Sequence, residues 1–180
     1  MLLVVDNGSI YTKQLTDFLA QKKFSFEKYT PDTLELNSLK KYESIILSGR
    51  RKNEKKINEV NSKIITFSIQ NNRKLLGICY GAEILALTLG GTIKKTHSLQ
   101  KGNETITILE NNLISNKSMN VFESHNFKIA KMPSVLVPLA KSNNCEYEII
   151  QYEKKPIFGT QFHPEMSLDG HNLIEKFCLL

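Results

Sequence analysis

The segment that most constrains this chain is the pentapeptide Gly-Ile-Cys-Tyr-Gly at residues 77–81. Residues 74–78 are typical of a short buried strand, and residues 82–89 of a helix that ends at a pair of glycines. Cys79 therefore falls on a strand-to-helix turn, where a strained backbone exposes the side chain and glycines allow neighbouring chain to approach closely. We expect a nucleophile whose pKa is lowered by the helix N-terminus. A buried structural cysteine on an ordinary turn is the alternative.

Composition predicts a globular protein with one domain over residues 1–180, because 41% of its residues are hydrophobic. The apolar start is too short for a signal peptide, and no apolar run approaches the ~20 residues of a membrane span. The three cysteines, Cys79, Cys145 and Cys178, are too few and too scattered for a disulfide framework. We therefore expect a cytoplasmic protein with reduced thiols and no membrane partner.

The net charge of +6 comes largely from scattered lysines, with one dense basic stretch at residues 50–56. That stretch has no interleaved aromatic residues and matches no nucleic-acid-binding motif. A solvated loop, or a surface that meets an acidic partner or an anionic substrate, is the better interpretation. We expect no nucleic-acid partner.

Apolar runs and helical stretches alternate in the first half of the chain, which predicts an α/β fold with a mainly parallel central sheet. The strand-like runs there are 2–5, 24–29, 44–47, 64–67 and 75–78, and one of the helical stretches is 11–19. After Gly91 the strand-like pieces lie close together without intervening helices, which predicts an antiparallel or mixed extension. Those pieces are 92–95, 104–109, 119–123, 135–140, 146–152 and 157–162, followed by a closing helix over 170–180.

Polar and glycine residues follow several of the predicted parallel strands. Residues 6–8 (Asp-Asn-Gly) come after the first strand, residues 48–50 (Ser-Gly-Arg) after the third, and Cys79 after the central one. Because ligands of open α/β sheets bind beyond the carboxyl ends of the strands, we expect these loops to converge on one pocket. Ordinary turn chemistry also favours such residues at strand ends.

A cysteine nucleophile needs a base, and the base needs a group that orients it. Among four histidines, His163 is the best candidate, since it follows an apolar strand and precedes Pro164, which favours an extended backbone at His163. Residues two apart on an extended segment point the same way, so Glu165 can face the same site. Cys79, His163 and Glu165 then supply nucleophile, base and orienting carboxylate.

These residues carry a resemblance to a known family. The elbow at 77–81 with the following Ala-Glu-Ile-Leu-Ala, and the late Phe-Gly-Thr-Gln-Phe-His-Pro-Glu at 158–165, resemble class I glutamine amidotransferases over nearly the whole chain. Within that class the opening at 5–11 and the segment 122–125 are most similar to the glutaminase subunit of GMP synthetase. Glutaminase subunits of anthranilate or aminodeoxychorismate synthase are the nearest alternative.

The resemblance implies a three-layer flavodoxin-like fold and a glutaminase. Cys79 would form a γ-glutamyl thioester and release ammonia, and the backbone N–H groups of Tyr80 and Arg50 would stabilise the oxyanion. The implied substrate-binding residues are Gly49, Glu83, Ser124, His125 and Asn126. No metal or cofactor is implied in this chain. Because the chain has no P-loop, ATP and Mg would bind only on a separate synthetase, GMP synthetase by this resemblance.

Three positions depart from the family pattern. The loop that normally reads Ser-Gly-Gly-Pro has Arg50 at its second glycine, where a side chain is strained if the backbone needs positive φ. Glu83 replaces the usual glutamine, so an amide donor becomes a carboxylate. Phe127 replaces an aspartate common in the GMP synthetase type.

These departures leave two further hypotheses open. One is a cysteine hydrolase that acts on a different amide. The other is a regulatory or binding subunit without a working oxyanion hole, in which restoring glycine at Arg50 and glutamine at Glu83 should raise glutaminase activity.

Overall fold

The computed structural model describes residues 1–50, 52–115 and 117–180. Within them the chain forms nine strands and four α-helices, which we number in chain order. The strands are β1 (Leu2–Val5), β2 (Phe26–Tyr29), β3 (Ser44–Leu47), β4 (Lys74–Ile78), β5 (Thr92–Ile108), β6 (Met119–Lys131), β7 (Leu136–Lys141), β8 (Ile149–Tyr152) and β9 (Ile157–Thr160). The helices are α1 (Thr12–Gln21), α2 (Lys55–Gln70), α3 (Tyr80–Thr88) and α4 (Leu168–Leu179), with short 3-10 helices at Leu36–Lys41 and Pro164–Met166.

The nine strands form one mixed sheet in the order β2-β1-β3-β4-β9-β8-β7-β5-β6. The first five strands in this order are parallel to one another. The remaining four add antiparallel pairings. The predicted parallel sheet with an antiparallel extension in the second half of the chain is therefore confirmed.

Side-chain alternation along the strands sends apolar groups to both faces of the sheet. In β1, Leu2 and Val4 belong to one buried cluster, and Leu3 and Val5 belong to another on the opposite face. Helices α1 and α4 contribute to the first cluster, and α2 and α3 to the second. Because both faces are covered, these strands read as continuous apolar runs. The result is the predicted three-layer α/β arrangement.

One predicted strand is wrong. Residues 64–67 lie inside α2, where Ile64 and Ile65 are fully buried against the sheet. Ile57 and Val60 also pack on this cluster, so the apolar positions follow helical spacing across the whole segment. A four-residue apolar run does not by itself distinguish a buried strand from a buried part of a helix.

The antiparallel extension contains a hairpin longer than the sequence suggests. The predicted pieces 92–95 and 104–109 belong largely to one strand, β5, of 17 residues. Its partner β6 has 13 residues and continues past Glu123, the predicted end of that strand. A register irregularity between Lys95 and Gln100 interrupts the pairing. Consequently residues 124–127 lie on a strand.

The described part of the chain has no helix that is both long enough and apolar enough to span a membrane. All three cysteines are free thiols. The cytoplasmic location and the single domain over residues 1–180 stay predictions.

Candidate active site

Cys79 lies on the sharp turn between β4 and α3. Its backbone has φ 49° and ψ −101°, a left-handed conformation that is strained for a residue with a side chain. Two glycines make the turn possible: a Cβ on Gly77 would lie 2.4 Å from the backbone of Gly81, and one on Gly81 would lie 2.7 Å from the carbonyl oxygen of Leu47. The predicted elbow, with its strained backbone, is therefore present.

His163 and Glu165 form a buried pair beside this turn. His163 Nδ1 lies 2.9 Å from Glu165 Oε1, and the backbone N–H of His163 donates to the Phe122 carbonyl oxygen at 2.8 Å. His163 is extended, as predicted, with φ −99° and ψ 92°. Glu165, however, lies in the 3-10 helix that begins at Pro164, so a tight turn and not an extended segment brings it to the imidazole. With Nδ1 engaged, Nε2 is the ring nitrogen left for the sulfur.

Cys79 and His163 shift each other's proton affinity. Burial raises the pKa of the Cys79 thiol, and the neighbouring His163 is the main influence that lowers it. Burial would lower the pKa of His163, but the charges of Glu165 and Cys79 raise it well above 6.5. The predicted lowering of the thiol pKa by the helix N-terminus is thus outweighed by burial. Thiolate formation depends on a protonated imidazole held by Glu165.

Sequence reasoning missed two site residues, Tyr11 and Ser9, which line the same cavity as His163. The Tyr11 ring lies edge-on to His163 with centroids 4.6 Å apart, and its hydroxyl donates to Ser124 Oγ at 3.1 Å. Ser9 lies beside Gly49, where an added Cβ would stand 2.9 Å from His163 Cε1. The sequence pattern indicates only that Tyr11 belongs to a helical stretch. The sequence feature that could have identified Tyr11 as a site residue is its position just after the loop that follows the first strand.

Arg50 lines the site, and its side chain is anchored there. The described non-glycine residues with positive φ are Lys23, Asn72, Cys79 and Glu153, so the strain anticipated at Arg50 is not present. Its guanidinium carbon lies 4.1 Å from the centroid of the Tyr80 ring. Nη1 donates to Asn53 at 2.7 Å and to Asn58 at 2.9 Å, and the Tyr80 hydroxyl also donates to Asn58, at 2.8 Å.

Glu83 is 4% exposed and lies one helical turn after the elbow. Its Oε1 accepts a long hydrogen bond of 3.4 Å from Gln161 Nε2. Burial raises the pKa of Glu83, while Gln161 and the charge of Arg50 act in the opposite direction. The carboxylate is therefore held weakly by the protein and faces the site.

The segment that precedes Phe127 forms a wall of the site. His125 Nδ1 donates to the Phe127 carbonyl oxygen at 2.8 Å, and its Nε2 lies 3.0 Å from Glu123 Oε2. Burial lowers the pKa of His125. Both ring nitrogens of His125 thus contact protein atoms, whereas Ser124 and Asn126 line the open space beside it.

Most of the predicted residues surround one cavity of about 450 Å³. The predicted residues lining it are Arg50, Cys79, Tyr80, Glu83, Ser124, His125, Asn126 and His163. Gly49 packs against His163 from behind, and Glu165 is buried beyond the imidazole. The exposed apolar residues Ile10, Leu99 and Phe127 stand at the rim. Residues 1–50, 52–115 and 117–180 contain no group of three or more His, Cys, Asp or Glu side chains placed to hold a metal ion.

Comparisons with known proteins identify the family of this chain. The family Glutamine amidotransferase class-I matches residues 3–179. The A subunit of GMP synthase (glutamine-hydrolyzing) from Methanocaldococcus jannaschii is 31% identical over 99% of this chain and 96% of its own length. The longer GMP synthase (glutamine-hydrolyzing) of Helicobacter pylori is 33% identical over the whole of this chain and 36% of its own length.

Solved structures show the same fold. A crystal structure of a Thermoplasma acidophilum protein, assigned as the A subunit of GMP synthase, has a TM-score of 0.87 and 25% identity over 98% of this chain and 91% of its own. A glutamine amidotransferase from Thermotoga maritima, at 20% identity over 97% of this chain and 80% of its own, has a TM-score of 0.78. The chain, with its cysteine elbow and buried His-Glu pair, belongs to the class I glutamine amidotransferase family.

Proposed function

We propose that this chain, acting as one domain over residues 1–180, is a glutaminase subunit that hydrolyses glutamine to glutamate and supplies ammonia to a separate GMP synthetase. The observation that carries the proposal is the strained Cys79 elbow beside a buried His163–Glu165 pair at 2.9 Å. The nucleophile and the base line one cavity, and the orienting carboxylate is buried beyond the base. This is the arrangement that covalent acyl transfer requires.

In the first half-reaction the Cys79 sulfur attacks the side-chain amide carbon of glutamine. A C–S bond forms, and the amide oxygen becomes an oxyanion. The protonated His163 gives its Nε2 proton to the leaving nitrogen, the C–N bond breaks, and ammonia departs from a γ-glutamyl thioester. Glu165 stabilises the imidazolium throughout, because its carboxylate accepts from Nδ1.

In the second half-reaction His163 takes a proton from water, which attacks the thioester carbon. The C–S bond then breaks and releases glutamate and the Cys79 sulfur. Backbone N–H groups of Tyr80 and Arg50 stabilise the oxyanion in both halves, and losing one such donor costs on the order of a hundredfold in rate. Arg50 has no positive φ, so its backbone carries no strain of that kind.

The remaining substrate contacts come from the cavity wall. Gly49 leaves room for the imidazole, while Ser124 and Asn126 offer polar groups to the substrate. His125 contributes differently from the role that the resemblance implies: its ring nitrogens are engaged by Phe127 and Glu123, so it shapes the wall. No metal or cofactor enters this scheme.

The partner is proposed from the relatives and from the rim of the cavity. The A subunits of GMP synthase match over almost their full length, whereas this chain covers only 36% of the longer Helicobacter pylori GMP synthase. The synthetase, with its ATP and Mg, would then be a separate subunit. The apolar rim formed by Ile10, Leu99 and Phe127 offers a contact surface at the mouth of the cavity.

Glutamate release from glutamine, measured with and without a GMP synthetase subunit, tests this function. We expect turnover that rises on adding the synthetase and disappears in Cys79→Ser. Cys178→Ser is the matched control, since Cys178 is a free thiol that does not line the cavity. A folded protein that releases no glutamate in either condition would refute the proposal. Acylation of Cys79 by a different amide, and not by glutamine, would instead favour the other hydrolase.

A further inference from the structure

Arg50, Lys52 and Glu83 line the cavity that contains Cys79, and the first and last of them stand at positions where this chain departs from its family. Arg50 supplies a guanidinium and Glu83 a carboxylate. No ion pair within 4.0 Å joins them among the described residues. The cavity therefore presents the exposed ammonium of Lys52, the guanidinium of Arg50 and the carboxyl group of Glu83, and the last two do not pair by direct contact.

The guanidinium of Arg50 is preorganised. Its face lies over Tyr80, and its two hydrogen bonds to asparagine, at Asn53 and Asn58, both use Nη1. Because a guanidinium carries five N–H donors in a fixed fork, this leaves donors free to meet an anion from the cavity. A stacked and anchored guanidinium loses little conformational entropy when it binds a carboxylate.

The carboxylate of Glu83 is placed one turn of α3 beyond the nucleophile. Cys79 precedes the first residue of α3, and both Cys79 and Glu83 line the same cavity. Burial with one weak hydrogen bond is costly for a carboxylate unless a ligand supplies a positive charge. The space beside Glu83 therefore fits an ammonium group.

Glutamine matches this pair in charge and in length. Its α-carbon carries an ammonium and a carboxylate, and about four bonds, spanning roughly 5 Å, separate the α-nitrogen from the reacting amide carbon. One helical turn, which separates the elbow from Glu83 along α3, rises about 5.4 Å. A glutamine whose amide lies at Cys79 is therefore long enough for its α-ammonium to reach Glu83.

We propose that Arg50 and Glu83 together recognise the charged end of the substrate, with Arg50 binding the α-carboxylate and Glu83 the α-ammonium. This inference rests on the proposed glutaminase function and names the specificity determinants of that same cavity. It reverses the expectation that restoring glycine at Arg50 and glutamine at Glu83 raises glutaminase activity. Replacing them with the residues usual in the family should lower the affinity for glutamine.

Substrate analogues paired with charge-removing variants test the assignment. We expect Arg50→Gln, which keeps the backbone N–H, to raise the KM for glutamine by about 10- to 100-fold with kcat changed by less than about threefold. Arg50→Lys should recover part of the loss. The KM for 4-aminobutanamide, which lacks the α-carboxylate, should be the same in Arg50→Gln and in the unaltered protein.

Glu83→Gln should give the complementary pattern. Its KM for glutamine should rise by about 10-fold or more, whereas its KM for glutaric acid monoamide, which lacks the α-amine, should not change. An equal loss on glutamine and on the analogue without the matching charge would overturn the assignment. So would an unchanged KM for glutamine in both variants, or increased glutaminase activity in the double variant Arg50→Gly with Glu83→Gln.

Calorimetry separates this inference from the function on which it rests. Glutamine is titrated into the Cys79→Ala protein, alone and combined with Arg50→Gln or Glu83→Gln. A weaker Kd in both combined variants supports the assignment even if the unaltered protein releases no glutamate, a result that would refute only the proposed turnover. A Kd that neither charge change alters overturns the assignment even in an active glutaminase.

Discussion

Stability should fall as the pH rises, because two carboxyl groups are buried side by side behind the active-site wall. Glu148 is 1% exposed and Glu123 6%. Burial, followed by the charge of Glu123, raises the pKa of Glu148 to about 9, and burial raises the pKa of Glu123 to about 7. One oxygen of Glu148 and Oε1 of Glu123 are buried without a hydrogen-bond partner among the described residues, and Glu123 Oε2 has only the 3.0 Å contact with His125 Nε2.

The direction and size of the effect follow from proton linkage. An unfolded glutamate ionises near pH 4.5, whereas folded Glu148 holds its proton to about pH 9. The folded state therefore binds more protons between these values, and the free energy of unfolding decreases as the pH rises. From pH 5 to pH 8 the loss attributable to Glu148 is roughly 2–4 kcal/mol, or about 5–15 °C in Tm for a chain of this size.

Glu148→Gln removes this titration, since an amide does not ionise. We expect the variant to be similar to the unaltered protein, or slightly less stable, at pH 5 and more stable by roughly 2–4 kcal/mol at pH 8. Urea unfolding at several pH values measures the difference. The exposed Glu146→Gln is the matched control and should follow the unaltered protein throughout. Parallel stability curves for Glu148→Gln and the unaltered protein would refute the reasoning.

Three further predictions concern the site, and a fourth variant serves as a control. Glu165→Gln should lower kcat/KM by at least about a hundredfold, and because the carboxylate raises the pKa of His163, the alkaline limb of the pH profile should move to lower pH. Gly77→Ala puts a Cβ 2.4 Å from backbone and should cost about 1–3 kcal/mol or more in urea unfolding with loss of glutamate release. Gly90→Ala is the control: Gly90 has φ +92° with open space around an added Cβ, so the variant should lose about 1 kcal/mol of unfolding free energy and keep its activity. Tyr80→Phe removes the 2.8 Å bond to the asparagine that also anchors the guanidinium, so KM should rise about fivefold with little change in kcat.

The parallel strands were predictable because their environment is simple. The bounds of β1 and β3 agree with the predicted runs at 2–5 and 44–47, since strands covered on both faces are apolar throughout and end abruptly at polar residues. The elbow was predictable for a related reason. When a nucleophile between two glycines directly joins a strand to a helix, few backbone conformations other than a sharp turn can connect the two elements.

The antiparallel half was harder to predict because its signals are weaker. Strand β5 is mostly exposed or half-buried, so its pattern breaks up into separate apolar pieces. Strand β6 has a buried polar residue, His125, within its length, which disguises the alternation. The pairing of the two strands depends on contacts between residues far apart in sequence, which local propensity does not record.

In the site, too, contacts between residues close in sequence were easier to predict than contacts between residues far apart in sequence. His163 and Glu165 are two residues apart, so the sequence predicted their pairing even though the connecting backbone is a 3-10 turn. Arg50 and Glu83 are 33 positions apart, and separately each departs from the family pattern in a way that suggests lost function. The resemblance assigns both to one site, and the fold shows that both side chains line one cavity, where their opposite charges match the two charges of an amino acid. Each substitution considered alone suggests a loss of function. Considered as a pair, the two residues change how the same substrate is bound, so they must be altered and tested together.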